Sequence, residues 1–146
     1  MEYKNLNILL VDDDQVDVMA IKGALEEHKI ANPVCVAQDG VRALEILRGS
    51  KVEPAMSPPF IILLDLNMPR MNGIEFLREI RKDKALRSTI VFVLTTSNDD
   101  RDKLAAYEFN IAGYLLKSGV GENFMNLVEL LEDFKIIVQF PLSVGS

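Results

Sequence analysis

Short apolar segments alternate with longer amphipathic segments along most of this chain. Five of the short segments are apolar almost throughout, which is typical of strands that are covered on both faces of a parallel sheet. The predicted strands are LNILLV (residues 6–11), PVCVA (33–37), FIILL (60–64), TIVFVL (89–94) and GYLLK (113–117).

The segments between these strands have helical periodicity. In residues 15–28, Val18, Ile21 and Leu25 recur at helical spacing, and Asp13 or Asp14 is placed to cap the helix. Further helices are predicted over residues 41–47, 74–81, 100–109 and 122–138. Five strands alternating with five helices favour an α/β fold, in which right-handed crossovers wind a parallel sheet into a three-layer α/β/α sandwich.

Two segments depart from this alternation. RGSKVEPAMSPPF (residues 48–60) contains three prolines, so we expect an exposed loop between the second helix and the third strand. The C-terminal IIVQFPLSVGS is apolar although it lies so near the terminus. It either packs on its own domain or contacts a second chain, and we therefore separate a domain of residues 1–138 from an extension of residues 139–146.

Composition narrows the class of protein. A chain of 146 residues is long enough for one domain, and a net charge of -6 disfavours broad contact with a nucleic-acid backbone. The single cysteine, Cys35, lies in an apolar run and is interpreted as a small buried hydrophobic residue. We find neither a signal peptide nor an apolar run of about 20 residues, and therefore expect a cytoplasmic protein with no membrane contact.

Polar side chains stand where the predicted strands end. Asp12 and Asp13 follow the first strand, Asp65 the third, Thr95 the fourth, and Lys117 ends the fifth. Each has an ordinary explanation alone, such as a helix cap, a polar turn or a solvated strand end. Functional groups of a doubly wound sheet gather at the carboxyl ends of its strands, so the set together predicts one site.

The residue types at this edge suggest phosphoryl chemistry. Clustered carboxylates favour a hard cation such as Mg²⁺, to which Asn67 can also offer its backbone carbonyl. Asp65 is placed to act as a carboxylate nucleophile that forms an acyl phosphate. The ammonium of Lys117 and the hydroxyl of Thr95 would then neutralise or hydrogen-bond the developing charge.

The segments VDDD, DLNMPRMNG, VLTTS and GYLLK resemble, in order and spacing, the receiver domains of bacterial two-component response regulators. The resemblance extends from about residue 6 to residue 131. It implies a flavodoxin-like (βα)5 fold and Mg²⁺-dependent transfer of a phosphoryl group from a sensor histidine kinase to Asp65. It also implies individual roles: Asp12 and Asp13 as the acidic metal pair with Asp13 the more direct ligand, the Asn67 carbonyl as a further ligand, Thr95 as switch hydroxyl, Lys117 as phosphoryl contact and Tyr114 as switch aromatic.

One position departs from the family pattern. Receivers usually follow the lysine with a proline in a cis peptide, whereas this chain has Ser118. A cis bond before a non-proline residue costs about 2.5–4 kcal/mol, so the path of the loop after the fifth strand stays open.

The loop before the third strand and the apolar C-terminal segment resemble the single-domain regulators that serve bacterial phytochromes and related hybrid kinases. We see no sequence for an effector domain and expect output through the receiver surface. In that group the fourth helix, fifth strand and fifth helix, with the extension beyond them, commonly form a homodimer interface.

Other functions are less consistent with these residues. Phosphatases with an aspartate nucleophile use a general acid two positions on, where this chain has Asn67, so we expect a switch limited to self-phosphorylation and self-dephosphorylation. Three aspartates after the first strand would repel a flavin phosphate. A phosphorylation-independent adaptor is the alternative, although such degenerate receivers typically lack one of the site residues. The single histidine, His28, is interpreted as a cation at a helix C-terminus and not as a phosphoryl carrier.

Overall fold

A computed structural model of the chain describes residues 7–27 and 33–117. Within these residues five strands alternate with four helices. The elements are β1 (Asn7–Val11), α1 (Gln15–Glu27), β2 (Val34–Ala37), α2 (Gly40–Arg48), β3 (Phe60–Leu64), α3 (Gly73–Lys82), β4 (Ile90–Thr95), α4 (Asp100–Glu108) and β5 (Gly113–Leu116).

The five strands form one parallel sheet in the order β2-β1-β3-β4-β5. The predicted doubly wound α/β fold is therefore confirmed. The order turns back at β1, because the chain leaves it for β2 on one side and returns to β3 on the other. The carboxyl ends of β1 and β3 flank this switch point, where open α/β sheets form their ligand crevice.

Alternate residues of the central strands enter two separate cores. On one face Leu9, Val11, Ile62 and Leu64 pack with side chains of α2 and α3, among them Phe76, which is fully buried. The opposite face packs against α1 through the predicted stripe, and the residues concerned are Ile8, Leu10, Ile61 and Leu63 on the sheet and Val18, Ile21 and Leu25 on the helix. Coverage of both faces explains why these strands are continuously apolar.

Side-chain caps fix where the helices begin. The Asp14 carboxylate accepts hydrogen bonds from the backbone N–H groups of Val16 (2.9 Å) and Asp17 (3.2 Å), so Asp14 is the cap of α1. Asn72 and Glu75 form a reciprocal capping box at the start of α3. Because Asp14 serves as the cap, neither Asp12 nor Asp13 is needed for that purpose.

The structure corrects three details of the sequence analysis. Thr95 is the last residue of β4 instead of the first residue after it, and Lys117 lies one position beyond β5. Cys35 is only half-buried, because the edge strand β2 is less covered than the centre of the sheet. One other prediction is confirmed, since the loop between α2 and β3 is irregular and mostly exposed.

Several predictions concern residues outside the described ranges: the helix of residues 122–138, the extension of residues 139–146, His28 and the Lys117–Ser118 peptide. In the part of the chain that is described, no helix has the length and apolar character needed to cross a bilayer.

Candidate functional site

Buried polar side chains converge at the carboxyl edge of the sheet. Among the described residues only five polar or charged residues are buried, and four of them lie at this edge: Asp12, Asp65, Thr95 and Lys117. Burying a charged group costs free energy unless the group is paired, so four buried polar residues at one edge of the sheet indicate a site with a function. Every buried side-chain nitrogen and oxygen in the described residues has a hydrogen-bond partner.

Lys117 is the centre of the charged network. Its Nζ donates to Asp12 Oδ2 at 2.6 Å, to Asp17 Oδ2 at 2.7 Å and, less closely, to Asp65 Oδ2 at 3.3 Å. Burial alone would lower the pKa of Lys117, but the hydrogen bonds to Asp12 and Asp17 and the charge of Asp65 raise it above its ordinary value. Lys117 is therefore held as an ammonium. Burial also raises the pKa of Asp12, which the bond to Lys117 opposes.

The two oxygens of Asp65 have different surroundings. Oδ1 accepts a hydrogen bond from the Thr95 hydroxyl at 2.8 Å and a longer one from the Asn67 backbone N–H at 3.3 Å. Oδ2 faces the Lys117 ammonium. The carboxylate is thus fixed in orientation by three donors from three different segments of the chain.

Asp12, Asp13 and Asp65 can each direct one carboxylate oxygen to a common point. These three oxygens lie within 4.8 Å of one another, and we refer to the three residues as the acidic cluster. Asp13 is exposed whereas Asp12 and Asp65 are buried, so the cluster opens to solvent on one side. With Asp17 included, the site holds four carboxylates and one ammonium among the described residues. A hard divalent cation with oxygen ligands fits this excess of negative charge.

Tyr114 is connected to the same network through the segment after β4. The Ser97 backbone N–H approaches the Thr95 hydroxyl at 3.3 Å, and the Tyr114 hydroxyl donates to the Ser97 carbonyl at 2.8 Å. The Ser97 hydroxyl in turn donates to Asp102 on α4 at 2.5 Å. Burial raises the pKa of Tyr114, so its hydroxyl stays protonated and remains a donor.

The turn from β3 into α3 holds Asp65 by close backbone packing. A Cβ atom on Gly73 would lie 2.6 Å from the Asp65 carbonyl oxygen and 2.7 Å from Leu66 Cα. The Gly73 N–H also donates to the Leu66 carbonyl at 2.9 Å. Glycine is therefore required by contact with backbone that is next to the proposed nucleophile, which explains the Asn72-Gly73 pair in physical terms.

Sequence reasoning missed two connections to this site. Asp17 lies five positions after Asp12 in the sequence, but its contact with Lys117 spans 100 positions and has no local signal. Arg70 donates two hydrogen bonds to Asp39, the cap of α2, at 2.7 and 3.0 Å. These bonds hold the segment after Asp65 against the start of α2. The backbone φ of Arg70 is positive (63°), which is typical of a turn. The Asn72-Gly73 pair in the sequence predicts a turn in this segment, but it does not indicate that Arg70 has this conformation.

Comparison with known proteins agrees with this geometry. Residues 8–129 match the family described as response regulator receiver domain. Response regulator Rcp1 of Synechocystis sp. is 34% identical over 127 residues, which are 87% of this chain and 86% of that protein.

Solved structures give the same result. The phosphorylated cyanobacterial phytochrome response regulator RcpA superposes with a TM-score of 0.81 at 32% identity, over 94% of this chain and 99% of that one. The Mn²⁺-bound form of Rcp1 superposes with a TM-score of 0.74 at 31% identity, over 93% and 99% of the two chains. The flavodoxin-like fold, the acidic edge of the sheet and these matches together lead to one assignment: the chain belongs to the response regulator receiver family of two-component signalling.

Proposed function

We propose that this receiver accepts a phosphoryl group on Asp65 from a sensor histidine kinase. The observation that carries the proposal is the set of donors around one buried carboxylate: the Thr95 hydroxyl on one oxygen and the Lys117 ammonium on the other. Such an arrangement aligns a nucleophile and places positive charge where a phosphoryl group would develop negative charge.

The chain's own residues account for the transfer. An Asp65 oxygen forms the new bond to phosphorus while the P–N bond of a protonated phosphohistidine breaks, and the electron pair stays on the nitrogen of the departing neutral imidazole. Lys117 lies next to Asp65 Oδ2 and would partly neutralise the incoming phosphoryl oxygens. The Thr95 hydroxyl would exchange its bond to Asp65 for one to the phosphoryl group.

The residues that would hold Mg²⁺ are Asp12, Asp13 and Asp65 through carboxylate oxygens and Asn67 through its backbone carbonyl. The acidic cluster supports this assignment, and Rcp1 has been solved in a Mn²⁺-bound form. When bound, the cation would supply positive charge for both the nucleophilic carboxylate and the phosphoryl oxygens.

We propose that Thr95 and Tyr114 pass the state of Asp65 to the surface of the protein. Thr95 touches Asp65, and Tyr114 is bonded to the Ser97 carbonyl two residues after Thr95. A shift of the Thr95 hydroxyl towards a phosphoryl group would therefore alter the support of Tyr114. This rearrangement would change the surface formed by α4 and β5.

That surface is where a second protein would bind. Leu104 and Tyr107 on α4 are 67% and 51% exposed, which supports the proposed homodimer through the fourth helix, fifth strand and fifth helix. The kinase partner would be a phytochrome-type or hybrid kinase, and the protein would act in the cytoplasm. The similarity to a cyanobacterial phytochrome response regulator and to a bacteriophytochrome response regulator supports the phytochrome-type kinase. Asn67 in place of an acid supports a switch instead of an enzyme that turns over an external phosphoester.

Intact-mass measurement after incubation with acetyl phosphate and Mg²⁺ tests the proposal. We expect a gain of one phosphoryl group that disappears in Asp65→Asn and in a Mg²⁺-free sample. Asp100→Asn is the matched control, because this fully exposed carboxylate lies outside the site and its variant should gain the group normally. A folded wild-type protein that binds Mg²⁺ without any gain would instead support the phosphorylation-independent adaptor.

A further inference from the structure

We propose that Asp17 is a positioning residue that keeps Lys117 in the site while a divalent cation occupies the acidic cluster. The inference rests on the proposed function, because it concerns the same lysine and the same cation. It adds a fifth charged residue to the four that the sequence pattern identifies: Asp12, Asp13, Asp65 and Lys117.

The three partners of Lys117 are not equivalent. Asp12 and Asp65 belong to the acidic cluster, whereas Asp17 lies outside it, on the first turn of α1. The Asp17 contact is nevertheless almost as short as the Asp12 contact, at 2.7 Å against 2.6 Å. Lys117 therefore bridges the cluster to a carboxylate that the cluster does not use.

A cation bound in the acidic cluster would weaken the contacts of Lys117 with Asp12 and Asp65. A cation between Asp12, Asp13 and Asp65 attracts the oxygens that Lys117 contacts and repels the ammonium itself. A buried ammonium that loses its partners is strongly disfavoured, and the side chain of Lys117 is only 4% exposed. Asp17 offers the remaining carboxylate, so Lys117 can stay charged and close to Asp65.

The position of Asp17 suits this purpose. Its backbone N–H is bound by the Asp14 cap at 3.2 Å, which fixes the first turn of the helix. Its side chain is only 23% exposed, so solvent and salt screen its attraction to Lys117 less than they would at a fully exposed position. Attraction to the helix dipole explains an acid at this position, but not its contact with a lysine 100 residues away.

Without Asp17, the only carboxylate partners of Lys117 among the described residues would be those of the acidic cluster, and Lys117 would compete with the cation for them. We therefore expect Asp17→Asn to weaken Mg²⁺ binding by about fivefold, measured by calorimetry because the chain has no tryptophan to report it. In a Lys117→Met background the competitor is absent, and Asp17→Asn should then change the affinity by less than about twofold. Glu26→Gln removes the same charge from an exposed position of α1 and is the matched control.

Each outcome decides the matter. If Asp17→Asn weakened Mg²⁺ binding equally in the wild type and in Lys117→Met, Asp17 would act on the cation directly and not through Lys117. If it weakened binding in neither, Asp17 would have no effect on the cation. Either result would overturn the proposal. As a second readout, the NMR signal of the Lys117 ammonium should persist with Mg²⁺ in the wild type and broaden in Asp17→Asn, whereas equal signals in the two proteins would contradict it.

The proposed function can fail separately. A wild-type protein that binds Mg²⁺ but gains no phosphoryl group would overturn the function and leave the coupling between Asp17 and Lys117 to be judged on affinity alone. A wild type that does not bind Mg²⁺ would overturn both.

Discussion

Arg81, near the end of α3, ties three segments together by hydrogen bonds to backbone carbonyls. Its guanidinium donates to the carbonyls of Phe109 (2.6 Å), Thr89 (2.8 Å), Arg87 (2.9 Å) and Asn110 (3.2 Å). Burial lowers its pKa, and no carboxylate forms a salt bridge with it among the described residues. The turn before β4 and the turn before β5 are thus fixed by one side chain.

The cost of losing these bonds follows from their burial. Two of the four are partly buried and two are exposed. A hydrogen bond to a charged group contributes about 1.5–3 kcal/mol when buried, while exposed ones add little. Removing a half-buried charge recovers part of the loss, so Arg81→Met should lower the free energy of unfolding by about 2–3 kcal/mol, or the melting temperature by about 5–10 °C.

Urea unfolding followed by far-UV circular dichroism measures this effect. Arg81→Lys should fall between the wild type and Arg81→Met, because one ammonium cannot reach all four carbonyls. Lys82→Met, at the next and exposed position of the same helix, is the control and should change stability by less than about 0.5 kcal/mol. A loss below about 1 kcal/mol in Arg81→Met, or a full rescue by lysine, would refute the reasoning.

Three other predictions concern the segment around Asp65. Gly73→Ala should lower the free energy of unfolding by at least about 2 kcal/mol in urea titrations and slow phosphorylation, because its Cβ would meet the Asp65 carbonyl at 2.6 Å; a neutral result would contradict the packing argument. Arg70→Ala should melt below Arg70→Gly, since both lose the bonds to Asp39 but only glycine relieves the φ of 63°; the reverse order would be inconsistent with the structure. Burial alone would raise the pKa of Asp39, but hydrogen bonding by Arg70 lowers it. The pair therefore stabilises the folded protein fully at pH values above the ordinary carboxyl pKa of 3.8. This stabilisation is lost as the pH falls through the lowered pKa of Asp39. Denaturation of the wild type and Arg70→Ala at stepped pH should therefore show a constant difference from pH 8 to 5 that closes only below 3.8, and closure near neutral pH would exclude this carboxylate as the cause.

The sequence predicts the sheet well because its strands are bounded by strong local signals. Residues 60–64 match β3, since an apolar run there stands between Pro59 and Asp65. The end of a strand is harder to predict from sequence where a polar residue continues the strand. Thr95 is the example: its hydroxyl suggests a loop, but its backbone still pairs with β5 at Leu116.

The sequence predicts some residues of the candidate site and misses others. Residues at strand ends can be brought together from topology alone, which is why Asp12, Asp65 and Lys117 are found without coordinates. Asp17 cannot be found by that route, because an acid on the first turn of a helix already has a local explanation. Arg70 is hidden for a similar reason, since its partner Asp39 is 31 positions away and is itself explained as a cap.

Chemical trapping of the modified side chain tests the central claim most directly. Borohydride reduces an aspartyl phosphate to homoserine, so the protein is treated with acetyl phosphate and Mg²⁺, reduced, digested and sequenced by tandem mass spectrometry. Our account predicts homoserine at position 65 and at no other aspartate, and its absence when Mg²⁺ is withheld. Homoserine at Asp12, Asp13 or Asp17, or none in a protein that binds Mg²⁺, would contradict the assignment of Asp65 as the phosphoryl acceptor.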